Sequence, residues 1–203
     1  VAQLVSINAA TTGAITLSDT DGALSGTAAN LVLAFAGTVT THTGTVAITD
    51  APTLAQLVTI NAETTGAITL NSAAAAYSGS AADLVLAFAG TVTTHTGTVE
   101  VTDALSVANA NTIDAATSGV ITATITDDAT DLATLTGTGN AYTITLNNDD
   151  AATLAELVTI NAATTGAITL NTSTIAANYS GSSANLVSAF AGSVTTHTGT
   201  VAI

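Results

Sequence analysis

The run LVTINAETTGAITL, centred on Gly66, returns as LVSINAATTGAITL around Gly13, as LVTINAATTGAITL around Gly166 and, more loosely, as ANTIDAATSGVITA around Gly119. Subtracting positions gives spacings of 53, 53 and 47 residues. A second string, AFAGTVTTHTGTV, surrounds His42 and His95 and recurs as AFAGSVTTHTGTV at His197; the third repeat lacks it and is the divergent one. Self-similarity at such a period constrains the fold more than composition does, because each repeat is a supersecondary unit that must bury its apolar face against a neighbour. The repeats are read as residues 1–53, 54–106, 107–153 and 154–203, in one continuous segment.

Each repeat divides again. LAQLVTINAETTGAITL and ADLVLAFAGTVTTHTGTVEVT both read as apolar residues at helical spacing, then Thr-Gly, then a strand. Leu54, Leu57, Val58 and Asn61 fall at i, i+3, i+4 and i+7, and Leu84, Val85 and Phe88 repeat the pattern. Ile68 and Leu70 then alternate with Ala67 and Thr69, a strand period. Helix starts are marked by Thr53 before Gln56, Ser80 before Asp83, Ser106 before Asn109, Asp128 before Asp131, Thr153 before Glu156 and Ser182 before Asn185.

Helices of two to three turns and strands of roughly five to eight residues cannot bury their own apolar faces, so stacking of about eight layers is expected. Strands of successive layers would pair in parallel about 4.8 Å apart. The fold class is therefore an α/β repeat, a parallel-strand solenoid; the alternative is an all-β helix in which LAQLVTINA is strand. Gly13, Gly66, Gly119 and Gly166 are expected at helix-to-strand turns with positive φ. Phe35, Phe88 and Phe190 are expected to be buried from the helix side. Asn8, Asn61 and Asn161, with Asp114 in the third repeat, are expected to satisfy backbone groups of their own or the adjacent layer.

Composition narrows what such a stack can do. Aromatic residues are 3% of the chain and Trp, Met and Cys are absent, which suits a narrow core and excludes disulfides and thiolate metal sites. Fourteen acidic residues face no Lys or Arg, a formal net charge of -14. That surface repels nucleic-acid phosphate and anionic membranes. The longest apolar stretches, such as Leu31 to Gly37, are far short of the roughly 20 residues a membrane helix needs.

The run LAQLVTINAETTGAITL, with its TINA, TTG and AITL segments, resembles the Ala/Thr-rich tandem repeats of giant secreted or cell-surface proteins of the marine cyanobacterial type. The resemblance covers almost the whole chain and implies export, surface display and a role in adhesion, motility or extracellular fibres. The glycine-rich calcium nonapeptide that often accompanies such repeats is absent.

No constellation reads as an enzyme site. His42, His95 and His197 stand in identical THTG contexts, and three copies in step with a repeat point to a structural turn position rather than a single asymmetric triad. Aspartates gather in connecting segments: Asp19 and Asp21 in DTDG, Asp50, Asp103, Asp127 with Asp128 and Asp131, and Asp149 with Asp150. Asp127, Asp128 and Asp131 are the metal candidates, calcium being the one cofactor left open, although no spacing completes a calcium loop. Thr16, Thr45, Thr69, Thr98, Thr122, Thr124, Thr143, Thr145, Thr169 and Thr200 should line an outward strand face, open to glycan or ice binding as the alternative function. The chain opens at VAQLV without a counterpart of Thr53 and closes at TVAI without counterparts of Thr49 and Asp50. Both ends are thus expected inside a repeat, the partners being further repeats or copies of the chain end to end, with glycans or cell-surface components.

Overall fold

Short polar side chains decide where the helices begin. In the computed structural model, which describes residues 1–147 and 150–203, these residues form two compact units, residues 1–98 with 116–119 and residues 99–115 with 120–203. The first unit holds α1 (Ala2–Ala9), β1 (Leu24–Gly26), α2 (Ala28–Ala34), β2 (Val46–Ile48), α3 (Leu54–Glu63), β3 (Ile68–Leu70), β4 (Tyr77–Gly79) and α4 (Ala81–Ala87). The second begins with β5 (Val99–Ala104), α5 (Val107–Ala116), β6 (Ile121–Asp127), α6 (Ala129–Leu132) and β7 (Ala141–Leu146). It continues through α7 (Leu154–Ala163), β8 (Ile168–Thr169), α8 (Thr172–Ala176), β9 (Tyr179–Ser180), α9 (Ser183–Ala189) and β10 (Val201–Ala202).

Thr53 and Thr153 each close a reciprocal capping box with Gln56 and Glu156. The side chains of Ser80, Ser106, Asp128 and Ser182 accept the N–H three residues on, as their spacing predicts. Thr27 and Asn171 cap α2 and α8 in the same way. The segment LAQLVTINAE is helix, not strand, so the fold is α/β with parallel strands alternating with helices.

Strand pairing within each unit is parallel and in step with the sequence. Leu24 faces Val46, and Val46 faces Ile68, an advance of 22 residues each time (46 − 24 and 68 − 46). Ile15 bridges Val39 and Ile68 bridges Val92. In the second unit β5, β6, β7 and β8 pair in that order, and β9 pairs with β10. In the first unit Val46, Ile48 and Ile68 of the strands and Leu57 and Ile60 of α3 are buried; in the second, Ile121, Ile125 and Ile144 and Leu157 and Ile160 of α7. Each such side chain contributes about 1.5–3 kcal/mol by leaving water. Between them the expected threonines point outward, nine exposed and Thr145 half-buried.

Three expectations are corrected. Strands of five to eight residues occur only at β5, β6 and β7; the other seven span two or three residues. The chain after α2 and α4 turns corners around the single-residue bridges at Val39 and Val92, whereas α6 is one turn long and leaves its residues to β7. Positive φ is found not at Gly13, Gly66, Gly119 and Gly166 but at Gly37, Gly90, Gly139 and Gly192, most of them just past the ends of helices. Gly66 and Gly119 are required by close approach instead: a Cβ there would collide with the carbonyl oxygens of Gly44 and Gly97 in the preceding layer, and one at Gly166 with that of Tyr142. Finally, Phe35 and Phe88 are buried but Phe190 is half-buried, because no described layer packs over α9.

Candidate functional site

The residues with most chemical capacity gather where one layer meets the next. Tyr77, Phe88 and His95 form a ring cluster with centroids 4.9–6.0 Å apart. Tyr179, Phe190 and His197 repeat it at 5.1–5.8 Å. Phe35 and His42 form a reduced version, 6.0 Å apart. Phe is the C-cap residue of its helix and His lies seven residues on, so the helix end and the turn converge on one core position.

His42 and His95 are not surface turn residues: they are 1% and 0% exposed. His42 Nε2 meets the Gly22 carbonyl at 2.8 Å, and His95 Nε2 meets that of Ala75. Facing a carbonyl, Nε2 must carry the proton. The other ring nitrogen lies 3.4 Å from Thr64 Oγ1 in His42 and 3.1 Å from Thr117 Oγ1 in His95. A hydroxyl beside an imidazole resembles a nucleophile with its base, but each hydroxyl donates to its own histidine's carbonyl and accepts a glycine N–H, from Gly66 or Gly119. Both threonines are buried, so no substrate carbonyl reaches them. Burial also holds the His95 imidazole below its ordinary range, partly offset by the bond to the Ala75 carbonyl.

The third repeat shows what the histidine is for. Asn140 bridges Thr164 as His42 bridges Thr64 and His95 bridges Thr117. It is 3% exposed; its side-chain Nδ2 donates to Asp114 Oδ1 at 2.9 Å and its side-chain Oδ1 accepts the Ile121 N–H at 2.9 Å. Asn140 escaped the sequence reading because the string around it is lost, and only the following Tyr142–Leu146 strand pattern marks its place. Tyr142 is buried close by, and burial together with the Asp114 charge raises its phenol above the ordinary range.

The predicted Asn positions act as clamps. Asn61 Nδ2 donates to the carbonyls of Leu86, Ala87 and Ala89 at 2.8–3.1 Å, which lie at and just past the end of α4, where helix carbonyls run short of partners. Asn8 does the same for Leu33, Ala34 and Ala36 of α2, and Asn161 for Ala189 and Ala191 of α9. Asp114 cannot donate and serves Asn140 instead, while Asn111 takes over the clamp by donating to Thr134 O at 2.9 Å.

Asp127, Asp128 and Asp131 come together, their carboxylate oxygens within 4.8 Å of one another, the sole group of that kind among the described residues. Two of the three are already engaged. Asp128 caps α6 through the Asp131 N–H at 2.8 Å, and Asp127 accepts the Asp128 N–H at 3.0 Å. Each of the three offers one oxygen to the group, against the six to eight that calcium takes. In DTDG, Asp19 accepts the Gly22 N–H at 3.0 Å, a local turn. Asp149 lies outside the described residues. Each histidine Nε2 bonds a backbone carbonyl of a neighbouring turn: Gly22 for His42, Ala75 for His95 and Ala177 for His197.

No family model matches the chain, and no curated protein or solved structure is similar to it. Among the described residues no helix is long and apolar enough to cross a membrane.

Proposed function

We propose that this chain is a structural segment of an extracellular or cell-surface protein: a solenoid of about eight helix–strand layers that builds length and presents an acidic, threonine-rich face for adhesion or filament formation, without catalysis. One observation carries the reading. The polar groups best equipped for chemistry, His42, His95 and the Asn clamps, spend their hydrogen bonds on backbone groups of an adjoining layer, and Asn140 replaces histidine in the same place. Substitution of an imidazole by an amide keeps a layer contact and would abolish acid–base work. The excess of acid and the exposed threonines suit a hydrated outer surface in salt, where screening shortens to about 3 Å at 1 M.

Removal of residues 54–106 tests the reading, because it joins Thr53 to Val107 and so keeps a capping hydroxyl where Ser106 stood. Two layers at about 4.8 Å each predict a folded product shortened by about 10 Å in solution scattering. An unfolded product, or new reducing or unsaturated ends when the intact chain is incubated with polysaccharides, overturns it.

A further inference from the structure

Tyr77 in the first unit and Tyr179 in the second hold equivalent places. Each opens the string YSGS, at 77–80 and at 179–182, and each packs on its own Phe and His. The glycine two residues on lies against the leucine that opens the helix below: a Cβ on Gly79 would strike Leu54 of α3, and one on Gly181 would strike Leu154 of α7. Both tyrosines are buried, 4% and 7% exposed.

Their hydroxyls differ. Tyr179 Oη donates to the Ala152 carbonyl at 2.7 Å, while Thr174, itself 0% exposed, accepts the Ala152 N–H on Oγ1 at 2.9 Å. Tyr77 Oη is buried too, yet it has no hydrogen-bond partner among the described residues. Burial raises the Tyr77 phenol unopposed; at Tyr179 burial and the Glu156 charge raise it, and the hydrogen bond to Thr174 lowers it.

Two sequence differences fall at the same point. Before Thr53 stands Pro52, where Ala152 stands before Thr153, and proline has no N–H to satisfy. Asn71 is six positions from Tyr77, whereas Asn171 is eight from Tyr179 (77 − 71 and 179 − 171), and the shorter stretch has no buried hydroxyl: Ser72 is half-buried and Ala73 to Ala76 complete it. The threonine and the N–H that it serves are lost together. The phenol donor is kept, and a buried hydroxyl left unpaired is costly where a phenylalanine would pack as well.

We propose that the first unit binds one internal water molecule here, which accepts a hydrogen bond from Tyr77 Oη, donates to the Pro52 carbonyl and stands where Thr174 Oγ1 stands in the second unit. Tyrosine supplies the donor and the carbonyl the acceptor, so the ligand must both accept and donate, and the room of one missing hydroxyl admits a molecule of that size.

A high-resolution crystal structure of the 203-residue chain, with thermal melts of two variants, tests this. Density for one water within hydrogen-bond distance of Tyr77 Oη and the Pro52 carbonyl is expected, with Tyr179 Oη bonded directly to Ala152. Tyr77→Phe should lower Tm by about 2–4 °C, as Tyr179→Phe does, because each removes one buried hydrogen bond. A Tyr77 hydroxyl bonded directly to a protein group, or one with no water beside it, overturns the proposal. So does a Tyr77→Phe variant that melts at or above the parent, since that hydroxyl would then have had no partner to lose.

Discussion

Replacing Asn61 by Asp keeps size and shape while removing the donor that three carbonyls share. Asn61→Ala loses a hydrogen bond at a half-buried site, where water can partly substitute, and should cost about 1–1.5 kcal/mol. Asn61→Asp costs more, because at neutral pH a carboxylate then faces the oxygens of Leu86, Ala87 and Ala89 at the negative end of α4. Adding about 1 kcal/mol, the upper end of the range for a charge at the unfavourable helix end, gives a total of about 2–2.5 kcal/mol. For a chain of this size that lowers Tm by about 4–10 °C. The sign of the pH dependence follows from the same geometry. The carbonyls raise the folded-state pKa of the new carboxyl above its unfolded value near 3.9, so the deficit is complete above the raised folded value and shrinks as pH falls through it, when the protonated acid becomes a donor again. Far-UV circular dichroism melts of the parent and both variants from pH 7 to pH 4 measure this. An Asp variant no worse than Ala, or a deficit independent of pH, would show that the amide is not what holds the α4 end.

Two further outcomes are expected. Phe88→Ala should cost about 3–5 kcal/mol in denaturant unfolding and Phe190→Ala roughly half as much, since both sit in the same ring cluster but Phe88 is buried and Phe190 half-buried; equal costs would contradict that difference in enclosure. His95 has a folded pKa below its unfolded value near 6.5, so the unfolded chain binds more protons in that interval and stability falls as pH drops below about 6.5. His95→Asn should lose less Tm than the parent between pH 7.5 and 5.5 at fixed ionic strength, and equal losses would exclude the ring as the titrating group.

What could be read from the sequence is what depends on a few adjacent residues. Thr53 with Gln56, Thr153 with Glu156 and the apolar spacing of Leu54, Leu57 and Val58 specify helix starts and faces locally, and the structure has them where the pattern puts them. The Asn61 position was legible as a backbone-satisfying site because a repeated polar residue beside a turn needs a partner. Its partners, one helix further on, were not. Gly66 was marked as special for the wrong cause, since positive φ is a property of one residue and the crowding by Gly44 is a property of two layers. The burial of His42 and His95 was hidden for a related reason: THTG is polar along the chain, and only the ring of Phe35 or Phe88 returning from the helix end makes the site dry. Asn140 was invisible because equivalence of place survives there without likeness of sequence.

The clamps and bridges run in two kinds that alternate. An amide from a layer of the α3 type reaches the helix end of the next layer, as Asn61 does for α4, while the histidine of a layer of the α4 type meets the threonine of the layer after it, as His95 meets Thr117. A gene copying a single layer of about 26 residues, half of the 53-residue repeat, would set two amides or two imidazoles in succession, each lacking the acceptor it is shaped for. A duplication that keeps both kinds of bond therefore copies a pair of layers, as the 53-residue spacing from Gly13 to Gly66 to Gly119 does.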